Sequence, residues 1–475
     1  MMSKKTVSRK LFYQFSLEER VPKDHFLRLV NKAIDFSFVY DLAAPFYSRT
    51  GAPSIDPVVI FKMALIGYLY NITSERKLAE EVRLNLAFLW FIGYDIDECP
   101  PDHSILSKAR RRFGKQVYEE FFSKVVEACR KAGLIEGDTV YLDATLVRAN
   151  ASLDSLVERK KLLDAGEYVE RLWKDNPEED DPASPESPEA NPEHGTGDRQ
   201  KPKANEKWVS TTDPDAALVR HRNKALMLAH KVHLAVDGGR HRIITAVATT
   251  AGDYPEHRKL PYLVGQHIFR VRRKPKEVVA DASYGTLDTY RFLMGQGILP
   301  TIPRRTTWKK ARKRREELGF IYDRERDIYI CPRGKKLYRE KSEKITGRIR
   351  YRTHAYACRG CDLKGVCAKG QRCSIKYSGD RELLDRVANH LGSKQAQQSL
   401  NKRRCWAETV NADLKNNYTL GRARYRGNPA VHIQALMAAC ARNVCQLVKH
   451  LKTLMKHPPA LAQLRREEAR VCLVG

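Results

Sequence analysis

Three observations predict an α/β architecture for the central part of this 475-residue chain. Short apolar runs, bounded by glycine or polar residues, recur at Thr139–Asp143, His230–Asp237, Arg242–Thr249 and Glu277–Asp281, as strands do. Gly238-Gly239-Arg240-His241 joins the second run to the third, which is a hairpin signal. Helical patterns then fill Glu256–Phe269 and Thr286–Gln296. An early strand and a hairpin, followed by alternating helix and strand, predict a mixed sheet flanked by helices.

The elements around that sheet follow in order. Residues 1–135 read as an all-helical N-terminal domain for DNA binding or assembly. Asp56-Pro57 supplies a cap and a first-turn proline, Ser74 opens a second helix, and Ser104 opens a third whose Arg110, Arg111 and Arg112 are expected to project. A helix-turn-helix unit and a plain helical bundle with a solvated basic face both fit this pattern. Residues 136–303 form the first part of the sheet domain, interrupted by an acidic insertion at about 175–205. Asp175 to Gly195 holds eight acidic residues and five prolines without lysine, arginine or aromatic residues, so it is expected to stay mobile. Residues 304–399 form a basic, cysteine-bearing insertion. Residues 400–455 return to helix and complete the domain, and 456–475 form a tail.

Formal net charge is +29, with a pI near 9.7. Such an excess speaks to polyanionic partners, because each phosphate neutralised releases condensed counterions. The N-terminus lacks the apolar core of a signal peptide, and the most apolar segment, Pro57 to Tyr70, is too short to span a bilayer. Eleven cysteines without an export signal imply a reducing compartment. The expected setting is a bacterial cytoplasm, at the nucleoid, with no membrane partner.

Within this basic chain three acids stand at positions that suit metal chemistry. Asp143 and Asp281 each end an apolar run, and Glu408 sits on a helical stretch, Arg404 to Lys415. Hard divalent cations prefer carboxylate oxygens, and two-metal phosphoryl transfer needs several such groups at one sheet edge. At about 100° per residue, offsets of four and eleven put Arg404, Glu408 and Lys415 on one helical face. Taken singly, each aspartate reads equally as a turn or helix cap, and the helix as a surface ladder of ion pairs.

The motifs Tyr141-Leu-Asp143-Ala-Thr, Val279-Ala-Asp281-Ala-Ser-Tyr284-Gly285 and Arg404-x₃-Glu408-x₆-Lys415 resemble those of bacterial insertion-sequence DDE transposases. Gly421-Arg-Ala-Arg-Tyr-Arg-Gly427 and Pro101-Asp-His-Ser-Ile-Leu-Ser107 extend the resemblance. It is to the Tyr-Arg-Glu-Lys type, in a subgroup with a cysteine-bearing insert, although Asn401 stands where that pattern has tyrosine. The resemblance implies an RNase H-like catalytic domain with Asp143, Asp281 and Glu408 as catalytic ligands of two Mg²⁺ (or Mn²⁺) ions. It also implies cleavage at the element's ends and transfer of the freed 3′-hydroxyl into target DNA. The implied partners are the terminal inverted repeats, the target duplex and a second protomer. Two rival readings stay open: a nuclease of the same fold that never joins strands, and an inactive, domesticated DNA-binding protein.

Further contacts are expected at the rim. Arg404, Lys415, Arg422, Arg424 and Arg426 would hold phosphates. So would Arg304, Arg305, Lys309, Lys310 and Arg312, around Trp308 as a stacking ring. Tyr284 would touch a nucleotide or simply pack, and His233 reads as a core histidine. Cys331, Cys358, Cys361 and Cys367, with Cys373 beyond, offer a tetrahedral set for a structural Zn²⁺ in a small insert without much core.

Overall fold

The computed structural model describes residues 15–48, 50–51, 54–159, 204–220, 225–304, 317–340, 348–354, 356–367, 372–378 and 380–456. The acidic stretch Asp175 to Gly195, the basic residues Arg305, Lys309, Lys310 and Arg312, and the tail beyond 456 lie outside the described residues.

Local signals set the first helices. The Asp56 carboxylate accepts from Val58 N at 2.7 Å, with Pro57 opening helix Pro57–Leu69, and the Ser74 hydroxyl caps helix Glu75–Leu84. The long helix Ser104–Lys131 is two helices joined across Gly114, whose φ of 59° relieves the strain another residue would carry there. Arg110 does not project as expected. Its guanidinium pairs with Glu75 at 2.5 Å and lies 3.9 Å from the Tyr425 ring centre, so it joins this region to the chain's far end.

The central sheet contains β1 (Thr139–Arg148), β4 (Ala217–Arg220), β5 (Leu226–Asp237), β6 (Ile244–Ala251), β7 (Glu277–Val279) and β8 (Leu299–Thr301). Two short strands, β2 (Leu156–Glu158) and β3 (Trp208–Ser210), pair apart from it. β1 lies at the centre, antiparallel to β5 and parallel to β7, and β7 is parallel to β8. β5 also carries β6 through the predicted hairpin, with a bulge at Ala235 and Val236.

Alternation along the strands splits the core in two. Tyr141, Val147, Val232, Leu234, Val236 and Val279 face one side and pack with the N-terminal helices and helix Asn428–Lys456. Val140, Leu142, Ala235, Val278 and Ala280 face the other, beneath helices Leu260–Val271, Leu287–Gly295 and Arg381–Leu391. The N-terminal helices are therefore continuous with the sheet's core. Asn443 pins the last long helix to the sheet: its side chain accepts from Ile244 N and donates to Ile244 O, at 2.9 and 2.8 Å.

The cysteine-bearing insert is an antiparallel meander of β9 (Ile321–Asp323), β10 (Ile328–Ile330), β11 (Lys336–Arg339), β12 (Arg348–Arg352) and β13 (Ser374–Ser378). It ends earlier than residue 399, because Leu383, Leu384 and Val387 are already buried under the central sheet.

Two core histidines make stability pH-dependent. Burial pushes His233 down to about 3 and His267 to about 4, while threonine hydroxyls hold one nitrogen of each ring. Each folded pKa lies below the unfolded value near 6.5, so the unfolded chain binds the extra proton between them. Their contribution is complete above about pH 6.5 and is lost as pH falls toward 4. Denaturant titrations from pH 7 to pH 4.5 should show a falling unfolding free energy, with a shallower slope in His267→Gln.

Candidate active site

Strand register brings the two aspartates together. Tyr141 of β1 lies opposite Val279 of parallel β7. Two residues further along come Asp143, still in β1, and Asp281, just past the end of β7, near enough that the Asp281 charge acts on Asp143. Asp143 does not end its strand as expected, since β5 pairs with β1 as far as Arg148. The strand that stops is β7, and its end opens a notch beside Asp143.

Asp281 folds its loop back on itself, as aspartates do in Asx turns: Oδ1 accepts from Ser283 N at 2.9 Å. Ser283 Oγ lies 2.5 Å from Asp281 Oδ1 and 2.5 Å from Glu256 Oε2. Gly285 follows because a Cβ there would run into Pro303 O. Burial first, then the neighbouring Asp281 and Glu256 charges, raise Asp143 to about 6, against the pull of Arg403. Negative charge in this notch is thus under-compensated, which is the condition a divalent cation relieves.

Arg403 and Asn411 occupy the two Asp143 oxygens, at 3.4 and 2.8 Å. Both belong to the helical stretch that carries Glu408. That stretch is not one regular α-helix, for residues Arg404–Glu408 form a π-helical turn between Lys394–Arg403 and Thr409–Asn417. The π turn shifts the register, so the even 100° step behind the predicted face does not hold across it. Glu408 is exposed, three residues before Asn411, and among the described residues it makes no hydrogen bond or ion pair with either aspartate.

Two family models match the chain. One, described as a transposase domain (DUF772), matches residues 15–112, and the other, described as a transposase DDE domain, matches residues 330–448. The chain thus carries matches to two transposase domains, the second of the DDE class. The second match contains Glu408, Arg404 and Lys415, while Asp143 and Asp281 precede it. No curated protein matches the chain. A piggyBac transposase synaptic complex with hairpin DNA aligns over 90% of this chain and 74% of its own, at 11% identity and a TM-score of 0.35. That likeness is too loose to carry weight here.

Several expected DNA contacts of this transposase are placed otherwise. Tyr284 is fully buried, so it cannot touch a nucleotide. Among the described residues its hydroxyl has no partner, and it is pushed well above its ordinary value by burial and by Glu256, Asp143 and Asp281. Arg424 turns inward, 4.8 Å from the Tyr68 ring centre, and lines a small cavity with Arg110 and Tyr425. Arg304 donates to Leu384 O, and Arg426 Nε reaches Asn150 O at 3.4 Å. Arg404 and Arg422 are exposed, and Lys415 is half-buried. His233 is the core histidine the sequence suggested, with Nε2 2.9 Å from the Thr250 hydroxyl.

The thiols of Cys331, Cys358, Cys361, Cys367 and Cys373 gather at the insert, where Cys358 and Cys373 are buried with Tyr329, Leu337 and Tyr351. Cys367 Sγ donates to Leu363 O at 3.0 Å, and the buried Cys373 Sγ reaches Cys367 O at 3.7 Å. Among the described residues no group of three or more His, Cys, Asp or Glu side chains is spaced to hold a metal ion. The oxygen donors at Asp143 and Asp281 nevertheless suit a hard divalent ion in kind, and the charge deficit there favours one. No helix among the described residues is long and apolar enough to cross a membrane.

The sequence reading missed Glu256, Ser283, Arg403 and Asn411. Glu256 lies in Glu-His-Arg-Lys, which reads as an ordinary helix start. Arg403 and Asn411 are brought to Asp143 by a π turn that no sequence period announces.

Proposed function

We propose that this transposase cuts DNA at the ends of an insertion sequence and joins the freed 3′-hydroxyl to target DNA. The observation that carries the reading is the Asp143–Asp281 pair, held side by side at a strand end under a helix that bears Glu408. We read the sheet as RNase H-like, from its antiparallel hairpin, central β1 and two parallel strands. Asp143, Asp281 and Glu408 would hold Mg²⁺ or Mn²⁺, with Glu408 brought in by a turn of its helix. Bound there, such ions supply an activated attacking oxygen and neutralise the leaving one. Asp143 and Asp281 orient that chemistry from rigid backbone, and Arg403 is placed to balance Asp143 when no cation is bound. Exposed Arg404 and Arg422 lie at the rim, where backbone phosphates would pass. Two ends must be joined, so the working unit is a homodimer on double-stranded DNA.

A supercoiled plasmid carrying the two DNA ends that flank this gene tests the reading. With Mg²⁺ the protein should cut at the element ends and give joined products, and a chelator should abolish both. Scattered nicks without joining would identify a nuclease. A shifted but uncut plasmid would leave only DNA binding.

A further inference from the structure

A third carboxylate already stands at the Asp143–Asp281 notch, and it is not the one on the helix. Glu256 opens the short 3₁₀ turn Glu256–Lys259, just past the end of β6. Its Oε1 is held by Lys231 Nζ of β5 at 3.3 Å, and the same ammonium donates to Tyr254 O at 2.9 Å. This fixes the side chain and turns Oε2 toward Ser283. Because Ser283 Oγ touches both Glu256 Oε2 and Asp281 Oδ1 at 2.5 Å, those oxygens can be no further apart than twice that distance. A hydroxyl has one proton to donate and so serves one of the two carboxylates at a time.

An independent observation points into the same space. The Tyr284 hydroxyl is fully buried, has no hydrogen-bond partner among the described residues, and lies in the field of Glu256, Asp143 and Asp281. A sealed phenol without a partner beside three acids is costly unless something else completes the cluster. A hydrated divalent cation would do so, with its water donating to the phenol oxygen.

We infer that Glu256 is a further ligand of this centre, holding the divalent cation together with Asp281. The inference rests on the metal-dependent reading of the notch and adds a residue outside the Asp143, Asp281 and Glu408 set. Lys231 acts as a positioning residue, through Glu256.

The test is Mn²⁺ binding to the full-length protein without DNA, read from the electron paramagnetic resonance signal of free Mn²⁺. Wild type is compared with Glu256→Gln, Glu256→Asp and Asp281→Asn, each checked by a thermal melt. Glu256→Gln should weaken binding at least about tenfold and shift the Mn²⁺ dependence of cleavage by a similar factor, leaving the rate at saturating metal closer to wild type. If that variant does not fold, Glu256→Asp carries the test, with a weakening of about threefold because the carboxylate is withdrawn by one methylene. Unchanged affinity in the folded Glu256 variants, with a loss in Asp281→Asn, overturns the role of Glu256 and leaves the metal reading standing. Unchanged affinity in all three overturns both.

Discussion

Asp143→Asn should reduce end cleavage by at least about 10³-fold while leaving the fold more stable than wild type. On the proposed metal-dependent reading, the loss follows from removing a ligand worth several kcal/mol of transition-state charge stabilisation, at about tenfold per 1.36 kcal/mol. The gain follows from linkage. Asp143 is raised to about 6 in the folded chain, chiefly by burial, against about 3.9 when unfolded. Between these values the folded state holds a proton that the unfolded state has lost. Stability therefore falls as pH rises through the window, and the cost is complete above about pH 6. About two units correspond to roughly 3 kcal/mol, at 1.36 kcal/mol per unit. Arg403, paired with Asp143 and mostly buried, would lose its partner, so the net gain should be roughly 1–2 kcal/mol. Denaturant titration at pH 7.5 and at pH 4 checks this: the gain should be present at the first and absent at the second. A destabilised variant at pH 7.5 would show that Asp143 is structural.

The second large effect lies far from the notch. Phe121 is fully buried, with its ring centre 4.8 Å from Phe61 and 5.7 Å from Phe38. Phe121→Ala should cost about 3–5 kcal/mol, as large-to-small changes at tight aromatic sites do. Its cavity opens in the core shared by the N-terminal helices and one face of the sheet. Unfolding should therefore stay a single transition, equally shifted whether hydrogen exchange is followed at Leu65 or at Val232. Separate transitions would show that residues 15–135 fold on their own.

That shared core was not legible in the sequence. Tyr141 and Val279 alternate as residues of any half-buried strand do, and nothing in their spacing says that the partner surface comes from Phe61 and Met437. The hairpin was legible because two glycines sit between two β-branched runs, and the first caps were legible because Asp56-Pro57 and Ser74 carry their own local chemistry. The juxtaposition of Asp143 and Asp281 could be anticipated from like positions at two apolar runs. Their acidic neighbour could not, because Glu256 reaches the notch only through the return of β6 and the pairing with Lys231. The arithmetic for Arg404, Glu408 and Lys415 assumed an even helix, and the π turn at Arg404–Glu408 is where that assumption fails.

The last long helix, Asn428–Lys456, has a consequence during synthesis. It supplies one wall of the core that the first helices and β1 require, yet it leaves the ribosome after everything else described here. A nascent or prematurely terminated chain ending before residue 428 would leave Phe61, Phe121 and Tyr141 without that covering and β6 without the Asn443 clamp. Such a fragment would lack part of the packing beneath the strands that carry Asp143 and lead to Asp281. Assembly of the notch therefore waits on the last long helix, however early its two aspartates are made.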